Sequence, residues 1–240
     1  ILVNKTGTNK PIPVVYGRRK LGGNRVYVST NGGDNQYLYI AMVFAEGEIN
    51  AFKKLYFDDK LVASGTLTTQ IDNSAYSNQS RLRYELQRGT TSQSPPSWFY
   101  LNGAPGWSDR HRLRGLAIGY FKLRWIRPNI DDPAADQQSQ ADANPYSGIP
   151  KIQVEVEGKK TPNAASSSIA SQTYSAMTKT YVTDPASHLL DYLLNPVYGR
   201  GLDTNRIGFA SFKLAAEKFA TTVNYKTGGT GKMLEFNYVV

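Results

Sequence analysis

Apolar and polar positions alternate along much of the first two thirds of the chain, with the period of a strand. Arg25-Val26-Tyr27-Val28-Ser29 alternates, Asn31-Gly32-Gly33-Asp34-Asn35 is a turn, and 37–44 is apolar almost throughout. This order predicts a hairpin whose second arm is a central strand, because an arm without a polar side needs cover on both faces. Positions 51–62 predict two strands joined by the Asp58-Asp59-Lys60 turn, and 81–88 and 116–125 predict one strand each. Ile152-Gln153-Val154-Glu155-Val156-Glu157-Gly158 alternates without a break and ends at glycine, giving one further strand. Pro11-Ile12-Pro13-Val14-Val15-Tyr16-Gly17 is extended, since a proline biases the residue before it away from the helical region. The polar, Gly- and Pro-rich stretches 64–80, 93–106 and 128–145 predict loops, the last a mobile surface loop.

The period changes near residue 184. Asp184-Pro185 supplies an N-cap with proline at the first helical position, and the helix runs to about Leu194, before Pro196. A second helix begins near Ile207 or Phe209 and ends at Thr221. Positions 224–231 predict a flexible connector, and 234–240 a strand cut in mid-course. The expected fold class is mainly β with a smaller α-containing part (α+β). The expected division is a β-rich domain over 1–160 with long surface loops near 64–106 and 128–147, a helix-containing domain over 161–233, and the start of a following domain at 234–240. No period of solenoid or propeller length is present.

Composition narrows the chemistry. The 240 residues include no Cys, which excludes disulfide scaffolds, thiolate metal sites and thiol nucleophiles. His111 and His188 are far apart and lack metal-ligand spacing, so neither a metal nor a cofactor is expected. No run reaches the roughly 18 apolar residues that span a bilayer as a helix, so no stable membrane insertion by this segment is expected. Lys+Arg 28 against Asp+Glu 19 gives 28 − 19 = +9. The densest cationic cluster is Arg110, Arg112, Arg114, Lys122, Arg124 and Arg127, with Trp107, Tyr120 and Trp125 nearby. Such a cluster could follow a nucleic-acid backbone. On a strand, however, Lys122 and Arg124 share one face and Phe121, Leu123 and Trp125 the other, which favours a solvated or protein-interface face.

Five segments stand out together. They are Pro11-Ile12-Pro13-Val14-Val15-Tyr16-Gly17-Arg18-Arg19, Ala45-Glu46-Gly47-Glu48-Ile49, Arg112-Leu113-Arg114-Gly115-Leu116-Ala117, and the pair Gly148-Ile149-Pro150-Lys151-Ile152 with Val156-Glu157-Gly158-Lys159-Lys160. The fifth and most specific is Leu189-Leu190-Asp191-Tyr192-Leu193-Leu194-Asn195-Pro196-Val197-Tyr198-Gly199-Arg200-Gly201-Leu202. In this order they resemble the hub region of long-tailed bacteriophage tail-tip proteins, the family of the phage lambda host-specificity protein J. The resemblance implies a β-barrel-like hub domain in a homotrimer at the distal end of the tail, within the virion. It further implies a structural, non-enzymatic role linking the tail tube to the host-recognition apparatus. The implied partners are further copies of the chain, distal tail and tube ring proteins, the tape measure protein and receptor-binding or fibre proteins, with transient passage of phage DNA. The six cations would then face neighbouring subunits.

Two other readings compete. Trp98, Tyr100 and Trp107 on loops could form a carbohydrate-binding surface. A cell-wall glycan hydrolase would need two converging carboxylates. Asp58 and Asp59 are neighbours that a strand would point to opposite faces, and Glu46 and Glu48 flank a glycine turn. Ser187, His188 and Asp191 lie within one helical turn without the geometry of a nucleophilic triad. Gly228-Gly229-Thr230-Gly231-Lys232 lacks the order of a phosphate-binding loop.

Overall fold

The computed structural model describes residues 5–6, 10–71, 81–125 and 148–239. The first strands in chain order are β1 (Lys5–Thr6), β2 (Val15–Tyr16), β3 (Arg18–Gly22), β4 (Asn24–Asn31), β5 (Tyr37–Glu46), β6 (Ile49–Phe57), β7 (Lys60–Leu67) and β8 (Thr69–Ile71). There follow β9 (Leu82–Gln87), β10 (Leu116–Arg124), β11 (Ile152–Lys159), β12 (Thr161–Pro162), β13 (Lys179–Thr180), β14 (Thr222–Asn224), β15 (Thr230–Lys232) and β16 (Tyr238–Val239). The α-helices are α1 (Ser97–Tyr100), α2 (Pro185–Leu194) and α3 (Phe209–Ala220). The fold is mainly β with a smaller helical part. The sheet orders β1-β4-β5-β10-β9-β8 and β3-β11-β6-β7 end in edges, so no closed barrel forms among the described residues.

The chain divides into two compact units. The first takes 1–14 and 20–156, the second 15–19 and 157–240. Residues 15–19 thus join the second unit, because β2 pairs there with β16 in the register Tyr16↔Tyr238. That partner strand, Tyr238–Val239, falls within the stretch 234–240.

In the first unit the predicted hairpin is β4–β5, and β5 lies between β4 and β10 as a central strand. Seven successive residues of β5 are buried because both faces are covered. One face meets the smaller sheet through Phe44–Phe52 and Phe57–Phe121, with ring centroids 5.9 and 6.2 Å apart. The other is covered around Phe99 of α1, with Tyr39, Ala41, Val43, Ile118 and Tyr120 beneath it. Strand β9 shows the expected alternation: Leu82, Tyr84 and Leu86 are buried, while Arg83, Glu85 and Gln87 are partly exposed. Burial raises the Tyr84 phenol to about 12.

The loop expected over 64–80 begins later than its polar composition suggests. Strand β7 continues to Leu67, paired to Phe52, and β8 adds to β9. Ladder hydrogen bonds and alternate apolar residues here outweigh the low strand propensity of Ser and Gly. The remainder, 72–80, lies outside the described residues, as do 126–147.

In the second unit, α2 begins as its sequence requires. Asp184 Oδ1 accepts from the Ser187 N–H at 2.7 Å, and Pro185 occupies the first turn. Leu190, Leu194, Ala186, Ile169, Met177 and Ala216 form its core. The expected flexible connector at 224–231 instead lies in a small hairpin, β14–β15, in the register Val223↔Gly231. Gly228 and Gly229, at φ +87° and +85°, supply its left-handed turn.

Candidate functional site

The segment that ends α2 forms a closed polar turn. Asn195 Oδ1 accepts from the backbone N–H groups of Val197 (2.8 Å) and Tyr198 (3.3 Å), and its Nδ2 donates to the Tyr174 hydroxyl at 2.9 Å. The chain then folds back on the helix end: Arg200 N–H donates to Tyr192 O at 2.9 Å, Leu202 N–H to Leu193 O at 2.8 Å and Gly201 N–H to Asn195 O at 3.0 Å. These bonds satisfy carbonyls that a helix C-terminus otherwise leaves open. Gly199 is dictated by space, since a Cβ there would stand 2.0 Å from Tyr192 O. Gly199→Ala is therefore expected to lower stability by about 3 kcal/mol. Gly208→Ala, whose Cβ would meet only Ser211 Oγ at 3.9 Å, should stay within about 0.5 kcal/mol of the parent. Urea titration of both variants checks the contrast.

The turn delivers Tyr198 to Asp191, which is fully buried on α2. Three phenols donate to this one carboxylate. Tyr16 reaches Oδ2 at 2.7 Å, Tyr174 reaches Oδ1 at 2.6 Å, and Tyr198 also reaches Oδ2. Burial, followed by the Asp191 charge, drives the Tyr16, Tyr174 and Tyr198 hydroxyls far above their ordinary pKa, so they remain donors at any physiological pH. Lys159 lies 4.8 Å over the Tyr198 ring and Lys179 lies 4.3 Å over Tyr174. Gly17 and Gly158 also owe their identity to close approach. A Cβ on Gly17 would strike Asn237 Oδ1 at 2.2 Å, and one on Gly158 would strike Val15 O at 2.2 Å. Residues from three of the standout segments thus converge here: Tyr16 and Gly17, Gly158, and Asp191 through Gly201.

Ser187, His188 and Asp191 each have separate partners. Ser187 Oγ accepts from Ala164 N–H at 2.9 Å, and Asp191 is engaged by the tyrosines. His188 Nε2 lies 2.8 Å from Val182 O; a carbonyl can only accept, so this nitrogen carries the proton. Its Nδ1 is buried without a hydrogen-bond partner. The ring lies against Tyr16 and Tyr238, with centroids 5.0 and 5.9 Å away. Burial lowers the His188 pKa, outweighing the Val182 carbonyl and the charges of Asp184 and Asp191. The folded state therefore binds fewer protons than the unfolded chain below its ordinary value near 6.5. Its stabilising contribution is complete above that pH and is lost as pH falls towards the lower folded value. Urea titrations at neutral and mildly acidic pH should show this loss, and His188→Gln should flatten it.

Among the described residues, the predicted interface cations fall at two places, before β10 and along it. Arg110, Arg112 and Arg114 are exposed in the turns before β10, and Arg127 lies outside the described residues. Lys122 and Arg124 are partly buried towards the far end of β10, with Lys122 about 20 Å along the strand from Leu116 at ~3.3 Å per residue. Besides Arg124, the cation beside Lys122 is Arg83, directly opposite it on β9. The strand expected over 81–88 contains Arg83, but the register that pairs it with Lys122 is a tertiary fact with no local signal. Lys122 Nζ lies 4.1 Å over the Tyr37 ring, and the Arg83 guanidinium lies 4.6 Å over Trp98. Burial first, then the neighbouring Arg83 and Arg124, lower the Lys122 pKa.

The loop aromatics also have assigned contacts. Trp107 packs on Tyr27 and Phe99 and stacks with His111 at 4.7 Å, while Trp98 packs on Phe99. Asp59 is bound by Lys151 at 2.9 Å and Lys20 at 3.2 Å, and Glu48 faces Arg88 at 3.7 Å.

No protein-family model matches the chain, and no curated protein matches it. Among solved structures, a chain of the "Virion of native gene transfer agent (GTA) particle" is similar at a TM-score of 0.42 and 16% identity. The match covers 73% of this chain and 33% of that one, so this chain spans about a third of the length of the virion chain.

Proposed function

We propose that the chain is a structural component of a phage-like virion, the hub region of a tail-tip protein that joins the distal tail tube to the host-recognition apparatus. The observation that carries this reading is the uncovered apolar surface of the second unit. Helix α3 has 12 residues but buries only Ala216, while Leu214 is 68% exposed and Val197, within the Asn195–Leu202 turn, is 80% exposed. Leu189, Met233, Leu234 and Phe236 are exposed as well. Apolar side chains in such number suit a component covered by neighbours in an assembly. The ordered segments supply the kind of assembly, and the closed Asp191 turn supplies a rigid scaffold on which that surface is presented.

In this reading the protein is a non-enzymatic homotrimer. Its partners are tail and tube ring proteins, the tape measure protein and fibre or receptor-binding proteins, and DNA passes through the assembled hub. Electron microscopy of the source particle, with a label on this protein, tests it. Three copies at the distal end of the tail are expected, and absence of the label from every particle overturns the reading.

A further inference from the structure

We infer that the Lys122 end of the β9–β10 face, beyond the part that α1 covers, is a docking site for an acidic protein segment, with a partner carboxylate seated between Arg83 and Lys122. The two residues are direct cross-strand neighbours in the register Lys122↔Arg83. Like charges placed opposite one another on a sheet destabilise it, and a strand pair normally sets an acid there. Here Arg83 and Lys122 rest instead on aromatic rings, Trp98 and Tyr37. Arg83 Nε is buried without a hydrogen-bond partner. Arg124 extends the same face, two residues along β10 from Lys122. An acidic side chain would meet a guanidinium fork and an ammonium already held in place, and neutralise the repulsion between them.

The local surface favours a protein partner over nucleic acid. Binding of single strands relies on open aromatic faces for base stacking. Trp98 is taken up by Arg83 and packs on Phe99, while the Tyr37 ring lies beneath Lys122. The row is also short, which limits the counter-ion release that drives phosphate-backbone binding. An extended acidic segment presents carboxylates on one side every second residue, about 6.8 Å apart, the same repeat that separates alternate positions along β10. This inference stands on the register and contacts of the first unit and does not rest on the virion reading.

Fluorescence anisotropy with a labelled ten-residue peptide of alternating Glu and Thr tests it on the full chain. A Gln/Thr peptide and a ten-nucleotide oligothymidine serve as comparison ligands. The double variant Arg83→Gln/Lys122→Met is expected to weaken Glu-peptide binding by about tenfold or more, the scale of one charge-assisted contact. Lys213→Gln/Lys218→Gln on α3 should leave it unchanged. The urea midpoint of the Arg83/Lys122 variant should equal or exceed that of the parent, because a like-charge pair has been removed. Equal Glu-peptide affinity in both double variants overturns the proposal. So does a lowered midpoint, which would assign the pair to the fold, or an oligonucleotide whose binding alone depends on the two residues. Lys122→Gln alone repeats the measurement with the smallest change.

Discussion

Asp191→Ala is expected to destabilise the second unit by on the order of 4 kcal/mol. The carboxylate is fully buried and accepts from Tyr16, Tyr174 and Tyr198, so its removal leaves three phenolic O–H groups facing one another across a void. Each orphaned buried donor costs about 1–3 kcal/mol, and removing a buried charged partner typically costs about 3–5 kcal/mol. The single changes Tyr16→Phe, Tyr174→Phe and Tyr198→Phe should each cost about 1–2 kcal/mol. Their sum will not equal the effect of the aspartate, because the three groups share one acceptor. All three tryptophans, Trp98, Trp107 and Trp125, lie in the first unit, whereas α2 and α3 lie in the second. Far-UV circular dichroism therefore follows mainly the second unit and tryptophan emission the first. Asp191→Ala should move the helical transition to lower urea and leave the tryptophan transition in place. A helical transition unmoved by the substitution would show that the tyrosines do not depend on this acceptor.

Phe99→Ala should have the complementary effect, about 3–5 kcal/mol on the first unit. The Phe99 side chain is fully buried, with ring centroids of Tyr39, Trp98, Trp107 and Tyr120 5.7, 5.7, 5.8 and 5.0 Å away. It anchors the segment around α1 to the outer face of β5 and β10, so its loss opens a cavity between aromatic groups with nothing flexible to fill it. The tryptophan transition should move to lower urea and the native emission should shift to the red as Trp98 and Trp107 gain water. Phe99→Leu, which retains most of the apolar volume, should lose less than half as much. Equal losses for the two variants would place Phe99 outside the packing centre.

The strands were legible because their patterns are local. The alternation in 152–158 and the apolar run of 37–44 correspond to β11 and β5, whose burial follows from having one or both faces covered. Asp184-Pro185 marked the start of α2 because capping is decided within four residues. The Asp191 centre was harder to read. Its ligands are at positions 16, 174 and 198, and a buried acid and a surface acid have the same letter. The Asn-Pro-x-Tyr-Gly-x-Gly-Leu pattern flagged the segment, but the reasons for its glycines, a carbonyl 2.0 Å from a would-be Cβ at Gly199 and φ +59° at Gly201, are visible only in three dimensions. The cationic cluster shows the converse limit of adjacency in sequence. Arg110, Arg112 and Arg114 are near Lys122 in sequence but not along the strand, while Arg83 lies 39 positions before Lys122 and beside it in space.

The interleaving of the two units sets an order of events on the ribosome. Nearly all of the first unit lies between residues 20 and 156, so its hairpins can close as they emerge. Tyr16 is made before any of them, yet its hydrogen-bond acceptor Asp191 follows 175 residues later and the strand partner Tyr238 later still. For that interval the short stretch 15–19 waits while a whole sheet sandwich assembles behind it. Contacts of such long sequence separation pay their loop-closure entropy late and form slowly. The second unit is thus completed only after residues near Tyr238 have emerged, and its apolar surface is presented after the first unit has closed.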